Sequence, residues 1–295
     1  MSNPIEGLLC LDKSSGPTSH DVVDKIRRLT GIRRVGHAGT LDPLATGLLV
    51  VCLGRATRLL EYLVGQPKSY VATIQLGQET NTYDAEGEII AEKPVAITAQ
   101  QLAVALDAFR GQIDQRTPLF SAVKVDGQPL YRRARRGEDV EPPVRTVTIY
   151  QLDLMDRQGT TLALGISCSS GTYIRSLAHD LGQSLGCGAH LAGLRRTAVG
   201  SFTLEDVITL AELTPQDWQK HLRPSDRAVY HLARLELTND DAVTLFHGQT
   251  VERRPGQTDA SPARAYDESG RFVGIVATEA ATWRAQKIFY QPSQG

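Results

Sequence analysis

Residues 35–54 read VGHAGTLDPLATGLLVVCLG, the densest stretch of the chain. Its second half, 47–54, is a continuous apolar run bounded by glycines, the pattern of a strand buried on both faces. Its first half sets Asp42 directly before Pro43, and the residue before a proline is pushed out of helical geometry. Asp42 is therefore expected in an extended or turn conformation. Gly36, Gly39 and Gly47 would let backbone approach a ligand closely around it. An aspartate in a Gly/Pro loop is ordinarily a turn former, but this loop runs straight into a buried strand that would anchor it.

Outward from this stretch the elements are mixed. Residues 7–12 read as a short strand. Ser19 is expected to cap a helix through Thr30, because Val22, Val23, Ile26 and Leu29 recur at helical spacing. Residues 69–76 alternate as a strand largely covered on both faces. Thr98 with Gln101 makes a capping-box pattern for a helix to Phe109. Strands are expected at 121–125, 144–155 and 161–167, then a helix at about 172–185. Strands and helices do not alternate regularly, so a doubly wound parallel sheet is disfavoured and an α+β fold with a mixed or antiparallel sheet is expected.

A boundary is expected near 214–231, TPQDWQKHLRPSDRAVYH, where prolines and charges close a long helical stretch. Beyond it come 232–238, a helix opened by Asn239, and several strand-like runs with a turn at 267–270. This reads as a compact β-rich module. The expected division is 1–228 and 229–295.

Composition limits the function. The chain has 32 Lys+Arg against 33 Asp+Glu, a formal charge of -1, so any anion-binding surface must be local. The longest apolar run falls far short of the ~20 residues that span a bilayer, and residues 1–16 lack a signal-peptide pattern. A cytoplasmic protein is expected. Cys10, Cys52, Cys168 and Cys187 stand at wide spacings with no Cys/His grouping, which predicts buried free thiols and no metal site.

The word HAGTLDPLATGLL resembles the catalytic motif of the TruB family of pseudouridine synthases. Other segments resemble that family's motifs in order along the chain. Leu11-Asp12-Lys13 with Gly16 and Thr18-Ser19 is similar to the first motif, although Ser14 stands where the family usually has proline. Lys68-Ser69-Tyr70 is similar to the tyrosine motif, residues 169–175 (SSGTYIR) to the arginine motif, and residues 191–197 (LAGLRRT) to the leucine motif. The matches run from about residue 7 to residue 205.

The resemblance implies a pseudouridine synthase catalytic domain with an RNA-clasping insertion at about 118–146, and a small C-terminal PUA-like domain. It implies isomerisation of a T-loop uridine of tRNA, at position 55, with Asp42 as the catalytic carboxylate, Arg175 as its cationic partner and Tyr70 stacked on the target base and placed to serve as a base for proton transfer. It further implies that His37 handles a flipped nucleotide, that Tyr173 and Leu194 line the pocket, and that Lys13 supports the catalytic loop or contacts substrate. By residue type alone, Lys13 would be an exposed lysine at a strand end, and Tyr70, Tyr173 and Leu194 ordinary core. The reaction is redox-neutral, so no cofactor is expected.

Two arginine-rich runs are candidates for phosphate contacts: residues 25–36 with Arg33 and Arg34, and residues 130–137 with Arg132 and Arg133. A charge run is otherwise a solvated face. The expected partner is the T-arm stem-loop of tRNA, bound by a monomer. A non-catalytic RNA-binding protein would not need Asp42, Tyr70 and Arg175 together. A serine hydrolase is disfavoured by the lack of a GxSxG word, and a metal hydrolase by the lack of clustered carboxylates and histidines.

Overall fold

A computed structural model of the chain describes residues 5–291 apart from Ala122 and Asp126. Its main body is a ten-stranded mixed sheet. The apolar run becomes the strand Thr46–Leu53, in which every residue from Gly47 onward is buried. It pairs antiparallel with Gly7–Lys13, from Gly7↔Leu53 to Lys13↔Gly47, and parallel with Ala189–Val199 through Arg195↔Thr46 and Arg196↔Gly47. Side chains alternate across a strand, so this one feeds two cores. Leu49, Val51 and Leu53 join Leu9, Leu11, Ile26 and Leu177 on one side. Leu48, Val50 and Cys52 join Leu8, Leu59 and Phe202 on the other.

The strand Lys68–Leu76 lies between Ala189–Val199 and Thr161–Cys168, antiparallel to both. One of its faces is fully buried and the other partly covered. The helices Ser19–Thr30 and Ile174–Ser184 contribute Val22, Val23, Ile26, Ile174, Leu177 and Leu181 to the first core. The fold is α+β, as the irregular order of elements predicts.

The strand Gly111–Arg116 ends beside the start of Val144–Gln158, with Arg116 opposite Val144. The chain between them therefore leaves the sheet and returns at one point. It carries a hairpin, Lys124–Val125 with Gln128–Pro129, and the helix Leu130–Arg135. Ala122 of the strand expected at 121–125, and Asp126 just after it, lie outside the described residues.

Three expectations are corrected. The caps of the first and last helices fall one residue earlier than expected, at Thr18 and Thr238 instead of Ser19 and Asn239. The N3 partners decide this: Asp21 and Asp241 each close a reciprocal capping box with the threonine before the helix. The long helical stretch expected before residue 214 is absent. Residues 189–199 are strand, and 200–231 carry only the two-residue strands Phe202–Thr203 and Ile208–Thr209 and short 3₁₀ turns such as Trp218–His221 and Ser225–Val229. Glycines at 186, 188, 193 and 200 disfavour helix before residue 214, and prolines at 215 and 224 keep the turns beyond it short.

From Ala233 onward a five-stranded sheet forms around Leu235, Leu245, Val276 and Trp283. Ile275 and Phe289 from this sheet pack into the second core of the main body. Polar contacts surround that seam. Arg55 binds Glu6 at 2.7 Å and donates to the Phe289 carbonyl at 3.1 Å, while Arg58 donates to the Ile288 carbonyl at 3.0 Å. All four cysteines are free and buried. No helix among the described residues is long and apolar enough to cross a membrane.

Gly47 is a tight crossing between two central strands. Its φ is +96°, and a Cβ there would sit 2.3 Å from the Arg196 carbonyl oxygen. Gly47→Ala should destabilise the fold by about 2 kcal/mol or more, since strained backbone and clash add. Urea unfolding of the variant beside wild type measures this.

Candidate active site

The strands Val35–His37 and Thr46–Leu53 pair antiparallel, from Val35↔Leu53 to His37↔Val51. The loop between them carries Asp42 and is held from below by two cations. Lys13 is fully buried, and its Nζ donates to the carbonyls of Ser14 at 3.1 Å, Asp42 at 3.2 Å, Pro43 at 3.2 Å and Ala45 at 2.6 Å. Arg196 holds the other limb, with Nε on the Leu48 carbonyl at 2.8 Å, Nη2 on Gly39 at 3.0 Å and Nη1 on Thr40 at 3.4 Å. Between them the Ser19 hydroxyl donates to the Leu41 carbonyl and accepts from its N–H. Hydrogen bonds from a charged donor are worth ~1.5–3 kcal/mol each, and here they offset the cost of burying the charge. Burial still pulls the Lys13 ammonium below its usual range, with Asp42 pushing back.

Lys13 is thereby corrected on two counts. It is not an exposed lysine, and its ammonium faces loop carbonyls rather than any surface an RNA could reach. Arg196 was not singled out as a candidate, although it lies inside the LAGLRRT word.

Arg175 stands in the first turn of the helix Ile174–Ser184 and is buried. Its Nε lies 3.0 Å from Asp42 Oδ2, and its Nη2 lies 3.5 Å from Oδ1. The Nε–H is poorly aligned on Oδ2, so that contact is an ion pair rather than a formed hydrogen bond. Nη1 binds Asp84 Oδ2 at 3.1 Å and the Thr82 carbonyl at 3.2 Å, and Nη2 donates to the Phe120 carbonyl at 3.2 Å. One guanidinium thus serves two carboxylates. The Asp42 side chain remains 35% exposed against 4% for Asp84, so Asp42 alone of the two opens onto the cleft. Asp84 was missed because TYDAEG reads as a turn. Its Oδ1 does form one, accepting from Thr82 Oγ1 at 2.6 Å and Glu86 N at 3.1 Å.

A cleft of about 270 Å³ opens over Asp42, lined by Tyr70, Phe120, Tyr173, Arg175 and Leu194. Five sequence candidates therefore meet: Asp42, Tyr70, Tyr173, Arg175 and Leu194. Tyr70 is buried, and burial raises its phenol above the usual range, with Arg196 beside it pulling the other way. The backbone of Tyr173 is clamped by the buried Gln115, whose amide oxygen accepts from Tyr173 N at 2.7 Å and whose amide nitrogen donates to Tyr173 O at 2.9 Å. Gln115 gave no signal in the sequence, since a glutamine on an edge strand is usually solvated.

His37 does not line this cleft. It ends its strand with Nδ1 buried and without a hydrogen-bond partner among the described residues, and burial, helped by Arg196, lowers its pKa and so favours the neutral ring. Arg33 and Arg34 are exposed just before it. Arg27 of the same run is tied to Asp24 at 2.7 Å. In the insertion, Arg132 is exposed, while Arg133 and Arg136 converge on Glu138 at 2.7 and 2.8 Å. Among the described residues no group of three or more His, Cys, Asp or Glu could hold a metal ion.

Burial raises the Asp42 pKa, Arg175 opposes it, Asp84 adds to it and Lys13 again opposes it. A carboxyl whose folded pKa is raised contributes stability below its unfolded pKa, and this is lost as pH rises through the folded value. Near neutrality the ionised Asp42 is therefore a cost to the fold. Asp42→Asn should melt no lower than wild type at pH 7, and any advantage should vanish as both are taken to acid pH. Thermal unfolding across that range checks the sign.

The family model for TruB family pseudouridylate synthase (N terminal domain) matches residues 27–174. Models for the tRNA pseudouridylate synthase B C-terminal domain and for pseudouridine synthase II TruB, C-terminal, match residues 175–236 and 233–281. The tRNA pseudouridine synthase B of Pseudomonas aeruginosa (strain UCBPP-PA14) is 45% identical over 278 residues, covering 92% of this chain and 91% of its own length. That of Ralstonia nicotianae (strain ATCC BAA-1114 / GMI1000) is 41% identical over 297 residues, covering 97% and 95%. Among solved structures, a Cbf5-Nop10-Gar1 complex has a chain that superposes with a TM-score of 0.75 at 27% identity, over 96% of this chain and 85% of that one. An H/ACA RNP bound to a substrate RNA containing 2'-deoxyuridine gives 0.75 at 25% identity, over 97% and 85%. With the motif order, the cleft and these matches in agreement, this chain belongs to the TruB family of pseudouridine synthases.

Proposed function

We propose that this enzyme converts a uridine in the T loop of tRNA, at position 55, to pseudouridine, and that Asp42 is the carboxylate that acts on the flipped-out nucleotide. The observation that carries this reading is Asp42 itself: an aspartate on a braced loop, paired with a buried arginine, yet open to a cleft with an aromatic and an aliphatic wall. Its relatives are named tRNA pseudouridine synthase B, which supplies the RNA class.

The chemistry suits the residues present. The C1′–N1 bond breaks, the base turns, C1′–C5 forms, the C5 hydrogen leaves as a proton and N1 gains one. Nothing is oxidised or hydrolysed. The step needs a carboxylate held in its charged form against the nucleotide, and an always-charged guanidinium beside it favours that form. Tyr70 and Leu194 offer a surface for a flipped pyrimidine. Burial raises the Tyr70 phenol above its usual range, which favours the uncharged ring as a stacking surface.

Extrusion of a base from folded RNA draws on contacts elsewhere, mainly to phosphates. Arg33 and Arg34 precede the catalytic hairpin, and the insertion bearing Arg132 and Arg133 is rooted at Phe120, beside Arg175. The two basic runs would grip the RNA from two sides of the cleft. RNA helices hide their base edges, so recognition should rest on shape, backbone and one splayed loop.

Asp42→Asn should abolish pseudouridine formation on an unmodified tRNA transcript while leaving its affinity nearly unchanged; turnover near the wild-type rate would refute the assignment. An isolated T-arm stem-loop should react nearly as well as whole tRNA, with stem pairs interchangeable and a loop-unfolded version inert. Neutralising Arg33 and Arg34 together should weaken binding and flatten the salt dependence by about one unit of slope per lost phosphate contact. Filter binding over a salt series reads that slope.

A further inference from the structure

Tyr83 has a φ of +66°, a conformation that is a genuine outlier for a bulky side chain. It sits in the turn that delivers the two groups gripping Arg175 from the side away from Asp42: the Thr82 carbonyl before it and the Asp84 carboxylate after it. Backbone bonds run from Tyr83 N to the Thr80 carbonyl at 3.2 Å, from Leu191 N to the Tyr83 carbonyl at 3.0 Å and from Ala85 N to the Leu191 carbonyl at 2.9 Å, and the Thr80 hydroxyl donates to the Asp84 carbonyl at 2.7 Å; the Thr82 carbonyl and the Asp84 carboxylate that meet Arg175 are left to the conformation at Tyr83. The Tyr83 ring lies flat on the ring of His179, with centroids 3.9 Å apart and planes 16° from parallel. His179 Nδ1 is buried and makes no hydrogen bond among the described residues, so stacking is the contact that the structure gives this ring.

His179 follows Arg175 by four residues in the same helix, and residues at that spacing share a helix face. One face therefore holds the turn twice, through the guanidinium at Thr82 and Asp84 and through the imidazole at Tyr83. If the stack were lost, the strained Tyr83 would be free to relax. The Thr82 carbonyl and the Asp84 carboxylate would then move off the guanidinium, and its aim at Asp42 would loosen.

We propose that Tyr83 and His179 are positioning residues for the reaction: their ring stack locks the Thr82–Asp84 turn in the conformation that points Arg175 at Asp42. This rests on the reading of Asp42 as the acting carboxylate. Neither ring lines the cleft, so both act through Arg175 and not on the nucleotide.

The test uses the full chain and an unmodified tRNA transcript. His179→Ala and Tyr83→Ala should each lower kcat about tenfold or more, because small misplacements of a catalytic group are costly, while KM and tRNA affinity stay within about twofold of wild type. Asp42 faces Arg175, Asp84 and Lys13, with Glu86 and Tyr70 beyond. Loosening Arg175 removes the main influence favouring the carboxylate, so the low-pH limb of kcat should move to higher pH in both variants. Tyr83→Phe keeps the ring and should stay within about twofold of wild type, and the double Ala variant should be no slower than the slower single one, as expected of groups acting as a unit. Should Tyr83→Ala fail to fold, His179→Ala carries the test alone, since it removes the stack and leaves the strained Tyr83 in place. A rise in KM with kcat unchanged, an unmoved pH limb, or Tyr83→Phe as slow as Tyr83→Ala would overturn the proposal. Asp42→Asn run beside them separates the two readings. If it is inactive while the stack variants match wild type, only the positioning role falls; if it is active, the assignment of Asp42 falls.

Discussion

Everything at the cleft depends on holding a loop rigid from beneath with charge. Lys13 and Arg196 are both fully buried, and neither forms an ion pair among the described residues; both spend most of their donors on backbone carbonyls of residues 39–48. Burying a cation this way is expensive unless each donor meets an acceptor. Here the loop supplies the acceptors, so the loop and the cations stabilise one another or neither is stable. A carbonyl-lined seat also leaves Asp42 free for a different cation. Had a carboxylate neutralised Lys13, its field would add to the burial that already raises the Asp42 pKa.

Arg175 then sets the balance between two acids. Asp84, almost fully buried, fixes one edge of the guanidinium, while the half-open Asp42 takes the other. The first carboxylate orients and the second is left accessible, so two chemically identical groups differ in role because their exposure differs. The Phe120 carbonyl adds a third grip. It links the segment that leaves the sheet after Arg116 to the same arginine, so a movement of that segment would be felt at the charge beside Asp42.

The sheet makes this arrangement possible because its central strands are covered on both faces. The first core seats the helices that carry Ser19 and Arg175, and the second receives Ile275 and Phe289 of the smaller sheet. The hairpin that carries Asp42 lies between the two cores and borrows rigidity from both. The crossing at Gly47 shows how closely the strands meet, since a single methyl would strike the Arg196 backbone.

Much of this was legible in the sequence. The buried strand after Asp42, the Thr98 capping box and the α+β class follow from local patterns, because apolar runs, caps and proline effects are decided within a few residues. The motif words located Asp42, Tyr70, Tyr173, Arg175 and Leu194, which the fold brings to one cleft. What stayed hidden was which charged residues are buried. Arg195 and Arg196 are adjacent and chemically alike, yet Arg195 pairs with Asp12 at the surface while Arg196 enters the core. The strand that carries them has irregularities between Leu191 and Gly193 and between Arg196 and Ala198, so counting alternate residues could not assign the faces. Lys13 finds its acceptors at residues 42, 43 and 45, and Arg175 finds Asp84, only once distant segments have paired. The sequence by itself determined which residues could do chemistry. Tertiary structure alone decided which of them would be charged, buried and aimed, because the partners that make a buried charge tolerable are assembled only by the fold.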